Sequence, residues 1–175
     1  MTDLFQDIQP IKAISLWQPW ASLMAAGVKL HETRHWPTAY RGPIAIHAAK
    51  TVDTAGAPDS LCNAVFGRGW ADTLPRGAVL AIGDLTQCRK AETVADRLTQ
   101  ADLASGNFAH GRFAWRIADI RRLQDPIALL GRQGLFNWTP PADLEFRLGP
   151  PIDHGSACRR VGWAGTARSM EAACV

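Results

Sequence analysis

Gly27-Val28-Lys29-Leu30-His31-Glu32-Thr33-Arg34-His35-Trp36, preceded by Ser15-Leu16-Trp17-Gln18-Pro19-Trp20, is the stretch on which the reading of this 175-residue chain turns. As a strand, its even positions Leu30, Glu32, Arg34 and Trp36 share one face. If Leu30 and Trp36 point into a core, the pleat carries Glu32 and Arg34 inward with them. A buried acid–base pair contributes little net stability, yet losing one partner costs on the order of 3–5 kcal/mol. Charge kept on such a face points to a site, whereas an edge strand wetted on both faces accounts for the same residues as surface. Strict alternation puts Lys29 opposite Glu32. For all three to meet, the strand must open with a bulge or hold Lys29 in the turn after Gly27, which puts Lys29 at the rim of a recess.

Outward from this stretch, short strands interleave with short helices. A strand at 11–17 leads through Pro19, suited to a first helical position, into a helix stopped by Gly27. The strand at 29–36 ends before Pro37, and the turn at 40–43 leads to a strand at 44–49. A helix is expected at 58–66 and an apolar strand at 78–85. Thr93 and Asp96 have capping-box spacing ahead of a helix running to Gly106. Phe113, Trp115 and Ile117 alternate with Arg112, Ala114 and Arg116 as in a half-buried antiparallel strand, and 135–138 closes the set. No helix follows every strand, so the expected class is α+β, a small antiparallel β-barrel with flanking short helices, over residues 11–138. Beyond Trp138, four prolines and lost periodicity mark residues 139–175 as an irregular extension, packed in patches around Phe146 and Trp163.

The length is that of one domain, and 47% hydrophobic with 20% charged residues is globular. No apolar run is long enough to span a bilayer. Asp3 and Asp7 stand where a leader would carry lysines, so a cytoplasmic, membrane-free chain is expected. The net charge is only +3, but its 19 basic residues comprise 15 Arg and 4 Lys. Arginine's planar fork suits phosphate and base edges; a compositional bias towards arginine explains the count equally well. Cys62, Cys88, Cys158 and Cys174 form no C-x-x-C pair, giving neither a zinc set nor a disulfide framework. His31 and His35 lie roughly 13 Å apart on a strand, too far to share a metal. No cofactor is expected.

Gly27, Lys29, Glu32 and Arg34 resemble the G-x-K-x-x-E-x-R signature of the ASCH (activating signal cointegrator 1 homology) family, a PUA-like group. Tyr40-Arg41-Gly42-Pro43-Ile44-Ala45-Ile46-His47 resembles that family's next strand, and the segments at 77–85 and 131–136 its later ones. The resemblance implies a PUA-like barrel with a cleft for single-stranded nucleic acid or a modified base, with Lys29, Glu32 and Arg34 at the cleft. Trp17 and the Tyr40-Arg41 pair are candidates to stack a base, Arg132 to grip phosphate, and His47 to face a ligand over a floor of alanines. Each has a plain structural alternative, and Trp20, on a helix face with Leu23 and Met24, reads as core. The leading expectation is a module binding single-stranded RNA or a modified nucleoside. The alternative is a small hydrolase in the same cleft, an N4-acetylcytidine amidohydrolase or a ribonuclease, with Lys29 and Glu32 as its catalytic pair. Against the amidohydrolase pattern, Glu32 occupies the position that the family's catalytic Thr would take.

Overall fold

A computed structural model of the chain describes residues 9–160 and Gly162. In chain order the elements are β1 (Ile11–Gln18), α1 (Trp20–Ala25), β2 (His31–Arg34), β3 (Gly42–Val52), α2 (Asp59–Phe66), α3 (Trp70–Thr73) and β4 (Ala78–Lys90). They continue with α4 (Gln100–Ser105), β5 (Phe113–Ala128), β6 (Leu135–Trp138), α5 (Leu144–Arg147), β7 (Leu148–Pro151) and α6 (His154–Arg160). The class is α+β, as the sequence pattern implies.

One seven-stranded sheet runs in the order β2-β5-β4-β3-β1-β6, with β7 paired to β5. Most pairings are antiparallel; β1 and β3 are parallel, Ile14 opposite Ile46. That pairing needs a crossover, which α1 and β2 supply. The end strands β2 and β6 do not pair, so the barrel is open along one seam. Arg34 Nη2 on β2 nevertheless donates to Ser15 O on β1 at 3.2 Å, because the sheet curls until its ends approach.

Alternation places Ile14, Leu16, Ile44, Ile46, Leu85, Trp115 and Ile117 in one buried cluster inside the curl, against Met24 of α1. Trp36 meets Trp115 edge to face at 4.5 Å. The start of α1 is satisfied by Gln18, whose Oε1 accepts from Ser22 N at 3.1 Å. At its end Gly27 takes φ +70°, a left-handed value suited to glycine, and Val28 N and Lys29 N both return to Leu23 O.

Two expectations are corrected. The helix placed at 93–106 begins only at Gln100, with Thr99 as its cap accepting from Asp102 N at 3.1 Å; two 3₁₀ turns precede it. The extension after Trp138 is irregular only in part. β7 pairs with β5, Leu123 opposite Leu148, and its prolines are tolerated because it is an edge strand. Ile152 packs where a Cβ on Gly27 would lie, 2.5 Å from Cγ2, and His154 Nδ1 donates to Gly27 O at 2.6 Å. Leu144 and Leu148, rather than the exposed Phe146, make the packing contacts there. Trp163 and Cys174 lie outside the described residues. No helix among those residues is long and apolar enough to cross a membrane.

Candidate functional site

The seam between β1 and β2 opens into a cleft of about 420 Å³, within the roughly 300–1,000 Å³ common for ligand sites. One wall is the end of β1 with Ser15, Leu16 and Trp17, continued by Trp20. The other is β2 with Glu32, Thr33 and Arg34, and the segment from Ala104 to Asn107 with Arg112 closes the far side.

Glu32 is the hub. Its Oε1 lies 3.3 Å from Arg34 Nε and its Oε2 3.5 Å from Lys29 Nζ. Arg34 Nε is buried and, although close to Glu32, makes no hydrogen bond. Lys29 meets Glu32 from the turn after Gly27, one of the two ways the sequence left open, but it is not at the rim: it is 0% exposed. The chain at 27–30 is still in the turn after α1, so strand alternation does not govern the Lys29 side chain. Its ammonium donates to His31 O, and to Ser105 O at 2.9 Å, besides facing Glu32. All three of its N–H bonds thus have acceptors, and Lys29 anchors Glu32 from behind the cleft wall.

Asp102, to which the sequence assigned no part, holds β2 in place. Its Oδ1 accepts from Leu30 N at 2.9 Å and His31 N at 3.0 Å, and its Oδ2 lies 3.1 Å from His31 Nδ1. Burial opposes its charge more than any other single influence does. The His31 bond and charge, the Leu30 N–H and the Lys29 ammonium together outweigh burial and hold the carboxyl at about 2. Thr33 completes the strap: its Oγ1 accepts from Asn107 N at 3.2 Å and its carbonyl from Arg112 Nη2 at 3.1 Å. The free edge of β2 is therefore covered, as exposed edges commonly are. The Thr99-x-x-Asp102 spacing was the signal available for this element.

The ASCH domain model matches residues 14–127, well over half of the chain. The chain belongs to the ASCH domain family. Among solved structures, ASCH from Zymomonas mobilis is similar at 17% identity with a TM-score of 0.49, covering 79% of this chain and 96% of that one. A mutant of the same Zymomonas mobilis protein gives 16% identity and a TM-score of 0.47, over 77% and 92% of the two chains. Comparison with curated proteins returns no match.

Of the residues singled out in this ASCH domain, Trp17, Glu32 and Arg34 line the cleft, and Trp17 is 54% exposed. Trp20, read as core, is instead part of the wall, because the cleft opens at the start of α1. Tyr40 and Arg41 are not among the lining residues. The Tyr40 hydroxyl donates to Pro43 O and burial pushes its pKa up, while Arg41 Nη1 is turned back on Thr38 O and Tyr40 O. His47 is buried behind Ser15: its Nδ1 is 3.0 Å from Ser15 Oγ and its Nε2 2.9 Å from Leu129 O. Burial lowers its pKa, more than the Leu129 bond raises it. Arg132 is exposed on the loop beyond, outside the lining.

Burial pushes the Cys62 thiol up to about 12 and Cys158 to about 11, so neither is a ready thiolate. No cluster of His, Cys, Asp and Glu among the described residues is arranged to hold a metal ion.

Proposed function

We propose that this ASCH domain binds single-stranded RNA, or a modified nucleoside, with one base held in the seam cleft. The observation that carries the reading is the lining of the cleft, where Trp17, 54% exposed, and Trp20 on one wall stand with Glu32 and Arg34 on the other. A base offers carbonyl and ring-nitrogen acceptors, and the indole walls supply stacking, worth roughly 1–3 kcal/mol per base. In this reading Glu32, which lines the cleft, accepts from an exocyclic amine. Cations outnumber anions at the cleft, since Arg34 and Arg112 line it with only Glu32 opposing them, which favours a phosphate beside the base.

Lys29 acting as base or nucleophile draws no support from this geometry. Its protons are committed to His31 O, Ser105 O and Glu32, and its side chain lies outside the lining. That favours binding over turnover by the Lys29–Glu32 pair.

The test is a panel of labelled single-stranded RNAs and free nucleosides, N4-acetylcytidine included, scored for both retention and product. Retention of RNA without a shortened product, lost on competition by one nucleoside, is the expected result. Turnover abolished by Lys29→Ala in a variant that still folds would replace this reading with the hydrolase.

A further inference from the structure

Ser15 and His47 form a second constellation at the cleft, independent of Lys29 and Glu32. His47 Nε2 faces the carbonyl of Leu129 at 2.9 Å, and a carbonyl only accepts, so Nε2 carries the proton. In the neutral imidazole Nδ1 is then a bare lone pair, and it lies 3.0 Å from Ser15 Oγ. Burial keeps His47 towards its neutral form. Nucleophile, base and an orienting group behind the base are the three parts of an activated hydroxyl; here a backbone carbonyl holds the ring where a carboxylate often does.

Two features fit this pair to a reaction. Ser15 lines the cleft, and Arg34 Nη2 donates to its main-chain O at 3.2 Å, so a guanidinium whose Nε is paired with Glu32 Oε1 at 3.3 Å lies beside the serine. A positive charge beside the serine favours the negative charge that develops on a carbonyl oxygen under attack. Second, Gly131 crosses directly over the pair. A Cβ at 131 would lie 2.5 Å from His47 Cε1 and 2.7 Å from Ser15 Oγ. Only glycine lets that loop close on the pair without displacing it.

We infer that Ser15 and His47 are a nucleophile and general base that transfer the acyl group of a carboxylic ester bearing an aromatic leaving group, which stacks against Trp17. Ser15 Oγ bonds to the acyl carbon as its proton passes to His47 Nδ1. The carbon–oxygen bond to the leaving group then breaks, and that oxygen takes the proton from Nδ1. Water next attacks the acyl-serine, yielding its proton to Nδ1, and releases the carboxylic acid as Ser15 Oγ is reprotonated. The activity goes beyond RNA binding, and neither stands or falls with the other.

The test uses the full chain with two probes. A fluorophosphonate traps an activated serine as a stable adduct, which peptide mass spectrometry locates; p-nitrophenyl acetate reports the rate. The expected adduct is on Ser15 alone, absent in Ser15→Ala. His47→Gln should slow nitrophenolate release by roughly 100-fold or more, the contribution of general-base assistance. An adduct on another residue, no adduct on the wild type, or undiminished release by Ser15→Ala would overturn the inference. If His47→Gln does not fold, the position of the wild-type adduct still decides.

Discussion

Replacing Lys29 by Met removes an ammonium that three acceptors surround. Glu32, whose side chain is 12% exposed, keeps only Arg34 as a charge partner, and His31 O and Ser105 O lose their donor. Breaking a buried pair by deleting one member costs on the order of 3–5 kcal/mol. Methionine restores much of the lysine's volume, so the loss is electrostatic rather than a cavity. For a chain of this size each kcal/mol moves the melting temperature by roughly 2–4 °C. A fall of roughly 6–20 °C is therefore expected, with a matching loss in urea unfolding at unchanged slope. A loss under about 1 kcal/mol, the range of an exposed ion pair, would refute the anchoring role and return Lys29 to the rim.

Asp102→Asn should destabilise in a pH-dependent way. The native carboxyl sits at about 2 against an ordinary 3.8, so its contribution, on the order of 2 kcal/mol, is present above pH 4 and lost as pH falls towards 2. Urea midpoints of the two proteins should converge over that window; a constant gap would contradict the assignment. Trp17→Ala should leave the melting temperature within the usual range for surface changes while weakening RNA binding by roughly 5–150-fold, from one lost stacking contact of about 1–3 kcal/mol. Fluorescence anisotropy checks it, and Trp17→Phe should recover most of the affinity. Gly131→Ala should cost about 1–3 kcal/mol through overpacking against His47 and Ser15, measured by thermal melting.

The pairing of Glu32 with Arg34 was legible because both lie within β2, where the period of two holds and Leu30 and Trp36 fix the inward face. That Lys29 joins them from the Gly27 turn was legible as a condition; its full burial was not, because Ser105 O, one of its acceptors, lies 76 residues away in sequence. Asp102 was invisible as a partner of His31, 71 residues away in sequence; only its capping spacing with Thr99 marked it as structured. Tyr40 and Arg41 looked like cleft residues beside a family motif, but local carbonyls at Thr38, Tyr40 and Pro43 absorb their polar groups. Leu148 to Pro151 did not read as a strand because two prolines cannot donate, and an edge position that makes this harmless is a tertiary fact. The open seam likewise follows from how far the sheet curls, which no single strand's pattern encodes.

Occupation of the seam cleft by a base can be followed at the side chains that line it. Titrating ¹⁵N-labelled protein with a short single-stranded RNA reads it directly. The indole N–H signals of Trp17 and Trp20 and the Nε–H signal of Arg34 should shift together and saturate at one equivalent, while Trp70 and Trp115 in the core stay put. Saturating shifts confined to arginines outside the cleft, such as Arg41 and Arg132, with Trp17, Trp20 and Arg34 unmoved, would contradict it.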